Sequence, residues 1–87
     1  MWFVYILNCK NGVLYTGITD NLERRLSEHQ SGKGGYFTKS FGAKEILFFE
    51  EYPDKSSALK REAQIKGWTK KKKLALIKGD TGLLKKL

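Results

Sequence analysis

GVLYTGITDNLERRLSEH, residues Gly12 to His29, joins a short apolar run to a charged one. VLYTGI, 13–18, is β-branched and aromatic and reads as a strand. Asp20 follows as an N-cap, and Glu23 three residues later completes a capping-box-like pair, so a helix is expected over about 21–31. The stretch also holds two adjacent arginines and the single histidine of the chain. At about 100° per residue, Leu22, Leu26 and His29 fall within a sector of roughly 60°. Arg25 flanks them, and Arg24 points about the opposite way. A guanidinium turned toward a core costs free energy without an anionic partner. Arg25 therefore snorkels, pairs locally with Glu28 or Glu62, or serves a site.

Working outward, WFVYIL, 2–7, reads as a strand buried on both faces. Asn11-Gly12 is a turn signal, so 2–7 and 13–18 form a hairpin. SGKGG, 31–35, stops the first helix, and KEILFFEEY, 44–52, is a third strand. Pro53-Asp54 turns the chain into a helix over 55–66, ended by Gly67. Thr69 caps a last helix across KKKKLALIK. The order β-β-α-β-α-α implies an α+β fold, a three-stranded antiparallel sheet flanked by three helices, with the first strand in the middle.

The chain has 87 residues, 40% of them hydrophobic and 13% aromatic, which suits one domain over 1–87 with one modest core. A single cysteine, Cys9, excludes an intrachain disulfide and a Cys/His zinc cluster. No apolar run approaches the ~20 residues of a membrane span, and no signal peptide precedes the first strand. A reducing, cytoplasmic setting is expected. Charge is more informative. Residues 1–54 carry 6 basic and 7 acidic side chains, whereas residues 55–87 carry 11 and 2. An excess confined to the last third points to a polyanionic partner, nucleic acid before an anionic membrane surface. Lys66 and the run Lys70, Lys71, Lys72 and Lys73 are the expected contacts. Four cations opening a helix oppose its dipole, a cost that a phosphate bound there would offset.

The second helix repeats the anomaly of the first. Ala58, Leu59, Glu62, Ile65 and Lys66 share one face, with Glu62 near its centre. A carboxylate there needs a cation: Arg25, Lys66 or a metal. A structural Arg–Glu bridge satisfies it as well as a hard divalent ion does. Other chemistries are poorly supported. SGKGGY lacks the ending and the preceding strand of a nucleotide-binding loop. No serine sits on a strand-to-helix elbow for Ser/His/Asp catalysis.

FVYI, 3–6, then YTG, 15–17, then Arg25 and His29, then Glu62, resembles the GIY-YIG nuclease domain. That family includes phage homing endonucleases, some restriction enzymes and the incision subunit of bacterial excision repair. Arg25 and His29 fall ten and fourteen residues after Tyr15, as the family pattern has them. ALKREAQIKGWTKKKKLALI looks like the small stand-alone bacterial branch. The resemblance implies an endonuclease in which Tyr15 acts as general base or orients the attacking water. It makes Arg25 the stabiliser of charge on the phosphate, and Glu62 the ligand of one Mg²⁺ or Mn²⁺. Tyr5 and His29 would position phosphate and water, and Gly17 would leave room beside the tyrosines. Phe3 stands where the motif has glycine, and Val4 where it has isoleucine. The expected partner is nucleic acid, DNA before RNA, and not a membrane; the pattern assigns no oligomeric state. The competing reading is a non-catalytic DNA- or RNA-binding module of the same fold.

The hairpin register separates useful from useless geometry. With Asn11-Gly12 as a two-residue turn, Tyr5 opposes Ile18, and the two tyrosines project from opposite faces. With Lys10-Asn11-Gly12 as a three-residue loop and Gly12 left-handed, Cys9 opposes Val13, Leu7 opposes Tyr15 and Tyr5 opposes Gly17. Both hydroxyls then share a face, and Gly17 leaves a gap between Tyr5 and a phosphate. The bulged register is the one predicted, with Tyr5, Tyr15, Arg25, His29 and Glu62 bordering one cleft.

Overall fold

The computed structural model describes residues 1–10, 12–31 and 42–79. Its elements are β1 (Trp2–Cys9), β2 (Leu14–Thr19), α1 (Leu22–Gln30), β3 (Ala43–Tyr52), α2 (Lys55–Lys66) and α3 (Lys70–Lys78). The sheet order is β2-β1-β3, with both pairings antiparallel, so the most apolar strand is central as expected.

The bulged register is the one formed. Tyr5 pairs with Gly17 and Leu7 with Tyr15. Cys9 N–H donates to Val13 O at 3.0 Å, and Gly12 N–H donates to Cys9 O at 2.9 Å. Gly12 has φ +81°, a conformation that residues with a Cβ rarely adopt. Asn11, the other half of the turn signal, lies outside the described residues, as do Gly32 to Gly35 of the expected helix stop.

Side chains alternate faces along β1, and each face has its own core. Val4 and Ile6 pack with Ala58 and Ile65 of α2, and Trp68, Leu76 and Ile77 join them. Tyr5, Leu7 and Cys9 pack on the other side with Tyr15, Ile46 and the α1 residues Leu22 and Leu26. The sheet is thus covered by α1 on one face and by α2 and α3 on the other.

The caps show why the helices begin where they do, and one corrects the sequence reading. Asn21, not Asp20, caps α1: its side chain accepts from Arg24 N–H at 3.0 Å. Thr19 Oγ1 holds Asn21 by accepting its N–H at 3.1 Å. The Asp20 carboxylate is instead engaged by the Arg24 guanidinium. Asp54 caps α2 through Ser57 N–H at 2.7 Å. Thr69 caps α3 through Lys72 N–H at 3.2 Å. Arg61 of α2 is bidentate to Glu50 of β3, with Nε–Oε1 at 2.9 Å and Nη2–Oε2 at 3.3 Å. Its guanidinium also lies over the Trp68 ring, 5.1 Å from the centroid.

Candidate active site

Tyr5 stands at the middle of β1, on the face covered by α1, and is fully buried. Its hydroxyl lies 2.8 Å from His29 Nε2 and accepts a hydrogen bond from Arg25 Nε–H at 3.3 Å. Arg25 can only donate. The Tyr5 oxygen therefore accepts from it, and the Tyr5 proton is free to go to His29 Nε2. This direction suits a neutral His29 carrying its proton on Nδ1. Arg25 and His29 are at i and i+4 on α1, so one helix face delivers both groups to one hydroxyl. Arg24 points away: it is exposed and pairs with Asp20 and, at 3.8 Å, with Glu28.

Tyr15 completes the cluster. Its ring centroid is 6.4 Å from that of Tyr5 and 5.2 Å from that of His29, the latter edge-on. It is only half-buried, unlike Tyr5. Gly17 lies opposite Tyr5, and the expected gap is not empty. A Cβ at Gly17 would sit 2.6 Å from Tyr5 Oη and 3.1 Å from Tyr15 Cε1. The space that the sequence reading reserved for phosphate is filled by the Tyr5 hydroxyl itself. Gly17→Ala should displace both rings and cost about 1–3 kcal/mol of stability, as overpacking does. Urea denaturation combined with the near-ultraviolet tyrosine signal checks it; an unchanged midpoint would mean the rings yield freely.

Burial and charge set the protonation states. Burial pushes the Tyr5 phenol up to about 12, only partly opposed by the Arg25 hydrogen bond and charge; Tyr15 and Glu62 push it the same way as burial. Burial, then the Arg25 charge, lowers His29 from 6.5 to about 4. Burial works against the Arg25 charge, but the hydrogen bond to Tyr5 and the charges of Tyr5, Tyr15 and Glu28 outweigh it, and the guanidinium stays protonated. His29 carries a stability consequence. Its folded value is depressed, so the unfolded chain binds a proton first on acidification. Stability is full above pH 6.5 and falls as pH drops from 6.5 through 4, by up to about 3 kcal/mol. Urea midpoints measured across that window should decline, and His29→Gln should flatten the decline.

Glu62 enters from α2, with its side chain 17% exposed. Its nearest cation is Lys66 Nζ at 3.5 Å, and its charge is felt at Tyr5, the hydroxyl that Arg25 contacts. The carboxylate paired with Arg25 is Glu28, at 3.6 Å. Of the remaining α2 face, Ala58 and Ile65 are buried, whereas Leu59 is exposed. The lysine run is not uniform. Lys72 Nζ lies over the Trp68 ring, 4.4 Å from the centroid, and Lys73 is half-buried beside the hairpin. The sequence reading missed Arg61, which fixes the helix carrying Glu62. Its partner Glu50 lies eleven residues away on β3, beyond any local pattern.

Sheet order and the bulged hairpin define a small α+β domain, and the family match makes its fold nuclease-type. The GIY-YIG catalytic domain model matches residues 1–75, and the chain belongs to that family. It is 40% identical over 80 residues to a UPF0213 protein of Natronomonas pharaonis, covering 92% of this chain and 94% of that one. It is 45% identical over 76 residues to a UPF0213 protein of Staphylococcus aureus, covering 87% and 93%. Among solved structures it resembles the solution NMR structure of a UPF0213 protein from Bacillus halodurans, with TM-score 0.58 and 36% identity over 94% of this chain and 88% of that one. No helix among the described residues is long and apolar enough to cross a membrane.

Proposed function

We propose that this chain is a metal-dependent endonuclease hydrolysing phosphodiester bonds in nucleic acid, DNA before RNA, in the cytoplasm. The observation that carries the reading is the convergence of Tyr5, Tyr15, Arg25 and His29 on one face, with the Glu62 charge acting on the same hydroxyl. Phosphodiester hydrolysis needs an activated water and a counter-charge for the phosphorane-like transition state. The Tyr5 phenol is buried, at about 12, with its proton directed to His29, so it is a poor base. Tyr15 is the more accessible phenol; it orients the attacking water, or takes its proton as the phenolate and ends as the phenol. Arg25 is the cation beside it, and the Tyr15 charge favours the protonated guanidinium. Arg25 faces the phosphate. Tyr5 and His29 are positioning residues, holding the guanidinium through the Tyr5 oxygen.

Among the described residues no three His, Cys, Asp or Glu side chains converge. A closed zinc site is therefore not what these residues build. One partly buried carboxylate fits Mg²⁺ or Mn²⁺, which keeps its waters and takes phosphate oxygens as further ligands. Glu62 would hold it, and the ion would neutralise charge on the phosphate oxygens.

The test is incubation of the purified protein with branched, flapped, single-stranded and duplex DNA, and the RNA counterparts, in Mg²⁺, Mn²⁺ or EDTA. Cleavage that requires the metal supports the reading. Tight binding without cleavage under every condition assigns the chain to the non-catalytic binding module instead.

A further inference from the structure

A groove of about 250 Å³ separates the start of β2 from the first turn of α3. Gly12, Val13 and Leu14 form one wall, and Lys70 and Lys73 the other. Among the described residues neither lysine makes an ion pair. Of their neighbours, Lys72 rests on Trp68, and Lys71, exposed like Lys70, does not line the groove. Lys73 is half-buried, and its charge is disfavoured by burial and by Lys66. The charges of Lys66 and Lys73 thus repel, Lys70 shares the groove wall with Lys73, and of the three only Lys66 has a carboxylate among the described residues, Glu62, at 3.5 Å. A bound anion would relieve that repulsion.

Position says which anion. Leu14 lines the groove and Tyr15 is the next residue, so the two side chains leave the same strand on opposite faces. β2 is an edge of the sheet. A polymer crossing that edge meets Tyr15 and Arg25 on one side and the lysine groove on the other. Lys66 links the groove to Glu62.

We propose that this groove holds a second backbone phosphate of the bound strand, one or two nucleotides from the scissile bond, with Lys70 and Lys73 as its counter-charge. The proposal rests on the nuclease reading and adds a subsite to it. The Gly12 turn contributes by proximity: a Cβ there would lie 3.5 Å from Lys70 Nζ.

The test measures oligonucleotide binding in EDTA by fluorescence anisotropy, as a function of salt. Lys70→Gln with Lys73→Gln is compared with Lys60→Gln with Lys78→Gln, an equal charge loss at exposed positions of α2 and α3. The groove pair should bind single strands about five-fold more weakly at 0.1 M salt, with a salt slope flatter by about 0.7 for one lost phosphate contact. The control pair should change less than two-fold. Methylphosphonates, which neutralise one phosphate at a time, should reveal one sensitive linkage beside the scissile one. That linkage should become insensitive in the groove variant. Equal effects of the two pairs, or a sensitivity that persists in the groove variant, would overturn the subsite and leave the nuclease reading standing. A wild-type protein that binds no nucleic acid would overturn both.

Discussion

Glu62→Ala should lower metal-dependent cleavage by at least about a thousand-fold, near 4 kcal/mol of barrier, while affinity in EDTA stays the same or tightens. The two halves of that result come from one geometry. Among the described residues Glu62 is the carboxylate whose charge reaches Tyr5, so its loss removes the carboxylate ligand from the proposed reaction centre. It is also the partner of Lys66, at 3.5 Å. Removing it frees that ammonium and deletes a negative charge beside a polyanion, neither of which weakens binding. Single-turnover cleavage and anisotropy on one substrate separate the two effects. Residual cleavage within ten-fold of wild type would take Glu62 out of the site. Joint loss of affinity and stability would make it a structural residue.

Adjacent arginines should give opposite outcomes. Arg25→Ala should cut turnover by about a hundred- to a thousand-fold, the scale seen when a preorganised donor is removed. Arg24→Ala should cost no more than about two-fold. Arg25 donates to the Tyr5 hydroxyl from a partly buried position, whereas Arg24 makes surface pairs with Asp20 and Glu28, worth about 0–1 kcal/mol. Arg25→Lys should not rescue, because an ammonium lacks the planar fork that can hold the phenol and face a phosphate together. Equal sensitivity of the two positions would refute the helix-face assignment.

What the sequence made legible follows from how local each cause is. The strands, the helices and the bulged hairpin rest on short-range signals: an aromatic and β-branched run in β1, Thr69 as a cap, a glycine able to take φ +81°. The first helix cap was misplaced by one residue because Asp20 and Asn21 are both good caps. The choice is made by Arg24 taking the Asp20 carboxylate and by Thr19 holding Asn21. Gly17 was read as room for a ligand, but which atom fills a gap depends on the reach of an opposing ring, and Tyr5 fills it. The lysine run read as one feature because its residues are identical in sequence. Trp68 and the hairpin distinguish them only once α3 is packed. Motif spacing located Tyr15, Arg25 and His29. It carried no information on Arg61, whose partner is supplied by β3.

The Arg61–Glu50 clamp constrains how this protein can vary. Both side chains are largely withdrawn from water, 22% and 26% exposed, so changing either alone strands an ion next to the core. Substitutions at 50 and 61 must therefore arrive as a pair, exchanging the salt bridge for an apolar contact in one step or through a weakened intermediate. Selection for activity would act on that intermediate, because the helix it loosens carries Glu62. Two residues outside the tyrosine–arginine cluster thus set the pace at which the rest of the α2 surface can drift. A deep mutational scan would record this as strong epistasis between positions 50 and 61 against near-independence at exposed Lys60.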